Sequence, residues 1–155
     1  TTVNPGLVLG TPMDTHYGTS LEVVERVLSA KDPMQPDIAL PMIDLEDVSA
    51  LHIAALENPN TAGHRLLATA GEWTFPKMAK TLRAAYPKNK IKTTVAPKWL
   101  LRLLSAFDPA LKAVLPQIGY RAPADVSETL ALTGLTYIPA EQALLKSANF
   151  LAKQG

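Results

Sequence analysis

The sequence predicts an α/β domain weighted toward helix, on three observations. Strand-like runs are few and short, at residues 1–9, 38–43, 64–70 and 91–95. Between them lie many amphipathic segments that open on helix-start signals. Thirteen prolines stand mostly at element ends, where they punctuate strands and helices instead of interrupting them. Strands alternating with helices belong to sheet-and-helix layering. Four short runs are too few for a complete parallel sheet, so the chain reads as the closing part of a larger ligand-binding sheet.

The first run, Val3-Asn4-Pro5-Gly6-Leu7-Val8-Leu9-Gly10, has the apolar density of a strand buried on both faces. Pro5 cannot donate to a ladder and Gly6 carries no side chain, so the pair marks a bulge or a place of close approach. Thr11 to Gly18 is a polar loop with turn formers at both ends. Thr19-x-x-Glu22 is a capping box for a helix with Leu21, Val24 and Leu28 on its apolar face. In residues 38–43, Pro41 predicts an edge strand. Asp44-Leu45-Glu46-Asp47 opens a helix whose inner face is Val48, Leu51 and Ala55 and which stops at Asn58-Pro59. A strand over 64–70 follows. Thr74 then caps a helix with Phe75, Met78, Leu82 and Ala85 on one side, closed by Tyr86-Pro87. After a basic stretch with Ile91–Val95 extended, helices are expected over Pro97–Ala106, from Asp108-Pro109, from Asp125-x-x-Glu128 to Gly134, and over Pro139–Lys153.

Composition narrows the functional classes. The chain has 155 residues, enough for one ordinary domain with a real core, and is 47% hydrophobic and 19% charged. A net charge of +1 gives no electrostatic footprint for nucleic acid or an anionic membrane. Without cysteine there are no disulfides, thiolate nucleophiles or zinc–thiolate sites. The three histidines, His16, His52 and His64, are too scattered for a metal motif, and no metal is expected. No apolar run approaches the roughly 20 residues that span a bilayer, so a cytoplasmic location is expected.

Several stretches in order resemble the C-terminal half of the extended short-chain dehydrogenase/reductases. The similarity is greatest to the dihydroflavonol-reductase-like branch and its bacterial NAD(P)-dependent aldehyde or ketone reductases. Val3–Gly10 resembles the strand under the nicotinamide, and Thr19–Val24 the helix after the substrate loop. Met42-Ile43-Asp44-Leu45-Glu46-Asp47-Val48-Ser49-Ala50-Leu51-His52 is similar to the family's Val-Asp-Val-x-Asp-Val-Ala signature with conservative changes. Ala62–Leu67, Phe75, Tyr86-Pro87, Asp125-x-Ser127 and Gly134-Leu135-Thr136-Tyr137-x-Pro139 continue the likeness almost to the C-terminus.

The resemblance implies the C-terminal part of a Rossmann-type reductase. Residues 1–10 would be the last-sheet strand of the core, and residues 11–155 a mainly helical substrate lobe with a closing strand and helices. It implies an NAD or NADP cofactor and a carbonyl substrate reduced by hydride transfer. Asn4, Pro5, Gly6, Leu7, Val8 and Ser20 would meet the cofactor; Thr11, Met13, His16 and Tyr17 would border the substrate. The family's glycine-rich turn and catalytic Tyr-x-x-x-Lys do not occur in these residues, so no catalytic residue is assigned and the dinucleotide-binding half is expected to precede them. A sheet fragment would pair with that half or with a second copy through its open edge.

Each assignment has a plainer competitor. Asn4–Val8 also fits an ordinary buried strand with a bulge, and Thr19 needs no ligand if it is an N-cap. Asp44, Glu46 and Asp47 suit a helix start better than a metal site. Lys88, Lys90, Lys92 and Lys98 suit a solvated face, and Trp99–Leu104 a pocket wall or core. Tyr86-Pro87-Lys88-Asn89-Lys90 spells the catalytic spacing, but Pro87 prevents the continuous helix that would align Tyr86 with Lys90. The competing function is a non-enzymatic module that keeps the reductase fold and binds a ligand or partner.

Overall fold

The computed structural model describes residues 1–14, 17–106 and 109–154. Its strands are β1 (Thr2–Pro5), β2 (Leu7–Leu9), β3 (Ala39–Asp44), β4 (Arg65–Ala68) and β5 (Glu72–Thr74). Its helices are α1 (Thr19–Leu28), α2 (Leu45–Glu57), α3 (Phe75–Ala85), α4 (Lys98–Leu104), α5 (Pro109–Val114), α6 (Ser127–Thr133) and α7 (Ala140–Ala152). The chain divides into two compact units, one of residues 1–24, 40–72 and 123–155, the other of residues 25–39 and 73–122.

The first unit is built on parallel pairing. β1 runs beside β4 with Val3 opposite Leu66, Asn4 opposite Leu67 and Pro5 opposite Ala68. β2 runs beside β3 with Leu7 opposite Met42 and Leu9 opposite Asp44. Ile43, Leu51, Leu66 and Ala68 form the buried centre, against which Val3, Val8, Val48, Ala55 and Tyr137 pack. Two side-chain bonds fasten the β4 backbone: Thr129 Oγ1 accepts from Leu67 N–H at 2.9 Å, and Tyr137 Oη donates to Leu67 O at 2.9 Å. The edge of β1 opposite β4 has no strand partner among the described residues.

The second unit gathers around the wholly buried Gln35 and the inner face of α3, where Met78, Ala79 and Leu82 are fully buried. Gln35 N–H donates to Thr94 O at 2.7 Å, and Gln35 O accepts from Ala96 N–H at 2.8 Å. Thr74 caps α3 through its hydroxyl, which accepts from Lys77 N–H at 3.2 Å. The Lys77 ammonium also lies 3.8 Å over the Trp73 ring, a cation–π contact. Asp37 ties in the segment after α5 by accepting a hydrogen bond from Arg121, and its carbonyl accepts from Gly119 N–H at 2.7 Å.

Several expectations change. The run 3–9 is not one strand buried on both faces. Gly6 divides it into β1 and β2, which pair with different partners, and Val3, Leu7 and Val8 are only half-buried. Pro41 does not confine β3 to an edge. β2 lies on one side, and on the other Ala70 N–H donates to Met42 O at 2.6 Å while Met42 N–H donates to Gly71 O at 2.9 Å. The ladder tolerates Pro41 because neighbouring Met42 supplies the bonds that Pro41 cannot. Thr19 lies inside α1 instead of capping it; the Gly18 carbonyl accepts from Leu21 and Glu22 N–H. Ala85 is exposed, and the extended run 91–95 makes only an isolated bridge between Val95 and Gln35. The helix start expected at Asp108 lies outside the described residues.

Candidate functional site

The stretch Asn4–Gly10 and the loop that follows it lie in the first unit. Asn4 sits mid-β1, and its Nδ2 is buried without a hydrogen-bond partner. Leaving such a donor unpaired costs about 1–3 kcal/mol, so it is the least explained polar atom of the strand. Pro5 is exposed at the end of β1. Gly6 N–H donates to Ala68 O at 3.0 Å. A Cβ at Gly6 would run into the Pro41 carbonyl, whose carbon would lie 2.8 Å away. The room left by Gly6 is therefore filled by the protein's own β3. Leu7 and Val8 are half-buried on β2.

Gly10 ends this stretch with φ at +141°, a conformation strained for any residue with a side chain. Its N–H donates to Ser147 Oγ at 2.8 Å, and Ser147 Oγ donates to its carbonyl at 3.1 Å. Beyond it, Thr11 and Met13 are exposed, Met13 completely. Tyr17 is half-buried, with its ring edge-to-face against Phe150 at 6.2 Å between centroids. Ser20 is half-buried in the first turn of α1. The reading of His16 as a substrate contact falls on a residue outside those described. Ser147 and Phe150 were not singled out in the sequence. The signal for Ser147 was a hydroxyl on the otherwise apolar face of α7, among Leu144, Ala148 and Leu151.

The acids that open α2 have structural work. Asp44 Oδ1 accepts from Glu46 N–H at 2.9 Å as the N-cap. The Lys146 ammonium lies 3.0 Å from Asp44 Oδ2 and 2.8 Å from Glu46 Oε1. Hydrogen bonding to Glu46 and then to Asp44 raises the Lys146 pKa above its ordinary value, against the opposing effect of burial. Asp47 Oδ2 accepts from Ile138 N–H at 2.7 Å; burial nonetheless raises its pKa. Burial, then the charge of Asp47, pushes the Tyr137 hydroxyl up to about 12. Among the described residues, no three His, Asp or Glu side chains gather in a metal-binding arrangement.

The Tyr-x-x-x-Lys spelling at Tyr86–Lys90 is not a helical pair. Tyr86 closes α3, a 3-10 turn occupies Pro87–Asn89, and Lys90 adopts the left-handed conformation at φ 54°. In the second unit, Leu101 is buried but Trp99, Leu103 and Leu104 are exposed, so the leucine-rich segment is only in part core. An open groove of about 440 Å³ beside it is lined by Arg102, Ser105, Ala106, Pro109, Lys112 and Leu115.

Parallel pairing, a helix-weighted α/β order and the short strands define the C-terminal part of a Rossmann-type extended short-chain reductase fold, as comparison with solved structures shows. NADPH-bound Gre2 from Candida albicans superposes with a TM-score of 0.69 at 22% identity, over 98% of this chain and 43% of that one. Vestitone reductase from alfalfa gives 0.70 at 19% identity, over 99% and 44%. The likeness read from the sequence is borne out in fold.

Curated relatives agree over part of the chain. The ketoreductase azaE of Aspergillus niger is 33% identical over 97 residues, 56% of this chain and 28% of that protein. YDR541C of Saccharomyces cerevisiae, named as an uncharacterized oxidoreductase, is 31% identical over 94 residues, 57% of this chain and 27% of that protein. The matched stretch spans little more than a quarter of each relative's length. No family model matches the sequence.

Proposed function

We propose that this chain forms the nicotinamide floor and substrate side of an NAD(P)H-dependent oxidoreductase that reduces an aldehyde or ketone. In this reading residues 1–10 belong to the Rossmann sheet, and residues 11–155 form the substrate lobe together with the closing strand and helices, β3 and β4 pairing with β2 and β1. A further segment of the protein supplies the glycine-rich turn and the Tyr-x-x-x-Lys pair. Its strands would add to the edge of β1 that β4 leaves open. Relatives named as a ketoreductase and an oxidoreductase, and a Gre2 structure in complex with NADPH, support the class of reaction.

The observation that carries the reading is the buried, unpartnered Nδ2 of Asn4, on the strand the resemblance assigns to the cofactor. A donor in that state fits a ligand that brings an oxygen acceptor, as a carboxamide or ribose does. Leu7 and Val8 supply apolar backing, and the Ser20 hydroxyl at the start of α1 suits an anionic group. Thr11, Met13, His16 and Tyr17 border the carbonyl compound, with Tyr17 held by Phe150. When bound, the nicotinamide supplies the hydride; this chain's residues orient the ring and shield it from water.

The test is NAD(P)H oxidation by the full-length gene product against a panel of aldehydes and ketones. Turnover is expected, and Asn4→Leu is expected to weaken NAD(P)H binding about tenfold, the equivalent of about 1.4 kcal/mol. Cofactor oxidation that no carbonyl compound stimulates would refute the proposal.

A further inference from the structure

We infer that helix α7 is the positioning element for the substrate loop, with Ser147 fixing where the loop begins and Phe150 where it returns. The inference rests on the proposed reductase reading for what the loop does, but its geometry stands independently. Gly10 is the last buried residue before the loop, and Tyr17 lies next to Gly18, whose carbonyl opens α1. Both are gripped by one helix. Ser147 is wholly buried, and its hydroxyl accepts from the Gly10 N–H at 2.8 Å while donating to the Gly10 carbonyl at 3.1 Å. One side chain thus satisfies both backbone groups of a residue whose φ of +141° takes it out of the strand ladder. No side chain fits at this turn, because a Cβ on Gly10 would stand 3.2 Å from Leu45 Cβ, tighter than an ordinary contact.

Phe150 follows Ser147 by three residues, so the two project from neighbouring positions on one face of α7. Its ring meets Tyr17 edge-to-face, 6.2 Å between centroids and 89° between planes. The candidate substrate contacts Thr11 and Met13 therefore leave from one α7 anchor, and Tyr17 is itself the other. Ser147 and Phe150 act through the loop without touching substrate, which makes them positioning residues.

Two measurements test this with Ser147→Ala and Phe150→Leu, and with Glu141→Gln, on an exposed residue of α7, as control. In the 155-residue chain, Ser147→Ala is expected to speed Gly10 amide hydrogen exchange tenfold or more while core amides such as Leu66 keep their protection. Phe150→Leu is expected to move the Tyr17 ring resonances and leave the Gly10 amide protected. Unchanged Gly10 exchange, or an equal acceleration at Leu66, would overturn the anchoring role. In the full-length protein, Ser147→Ala is expected to raise KM for the carbonyl substrate at least fivefold, with kcat and KM for NAD(P)H within twofold of wild type. An unchanged carbonyl KM in an active wild-type background would overturn the positioning role alone. Absence of any carbonyl reduction by the wild type would overturn the functional reading, and the substrate-positioning role with it.

Discussion

Gly6 and Asp47 each show a single residue whose chemistry is decided by what lies against it. Gly6 has no side chain because the Pro41 carbonyl occupies that place. Gly6→Ala should cost about 3 kcal/mol through overpacking against backbone, measured by urea unfolding; an unchanged midpoint would show that β3 can move aside. Asp47 gives a paired prediction. It carries a charge disfavoured by burial but needs an acceptor for Ile138 N–H. Asp47→Asn, which keeps an acceptor and drops the charge, should change stability by less than about 1 kcal/mol, whereas Asp47→Ala should cost about 1–3 kcal/mol. Equal losses in both variants would mean that the charge itself holds the structure. At this scale the sequence was informative about type and silent about partner: Gly6 announced a close approach, but that Pro41 makes it depends on pairing across more than thirty residues.

Among the elements, helices with local start signals were legible. Asp44 before α2, Thr74 before α3 and Gly134 after α6 act where they stand, because caps are satisfied within a turn. The division of residues 3–9 between two pairings was not legible, since register is set by strands distant in sequence. Nor was the link between α7 and Gly10, separated by 137 residues. The segment before α7 supplies a pH test. Tyr137 Oη donates to Leu67 O, and its pKa stands at about 12 in the fold against an ordinary value near 10. A raised folded value means that the stability from this hydroxyl is complete below pH 10 and is lost as pH rises through about 12. Tyr137→Phe should remove that pH-dependent component and cost about 1 kcal/mol at neutral pH, read from urea midpoints across the alkaline range. A wild type and variant that lose stability in parallel between those pH values would contradict it.

The likeness to the reductase fold extends over 98% of this chain, and among the described residues no helix is long and apolar enough to cross a membrane. The edge of β1 away from β4 has no strand partner among the described residues, and an open strand edge is a template for another strand. The 155-residue chain should dimerise through that edge or associate with a dinucleotide-binding half, giving a concentration-dependent mass by light scattering. A constant monomer mass with the β1 amides freely exchanging would argue that the edge is content in water. The proposed reductase role would put residues of this chain beneath a nicotinamide that gives hydride to a carbonyl carbon. Its most direct test is single-turnover reduction of an aldehyde by the full-length protein with NAD(P)H deuterated on either face at the nicotinamide carbon, the product analysed by mass spectrometry. One deuterium on the new carbinol carbon, from one face only, is the predicted result; an alcohol without deuterium from either, or no alcohol, would contradict it.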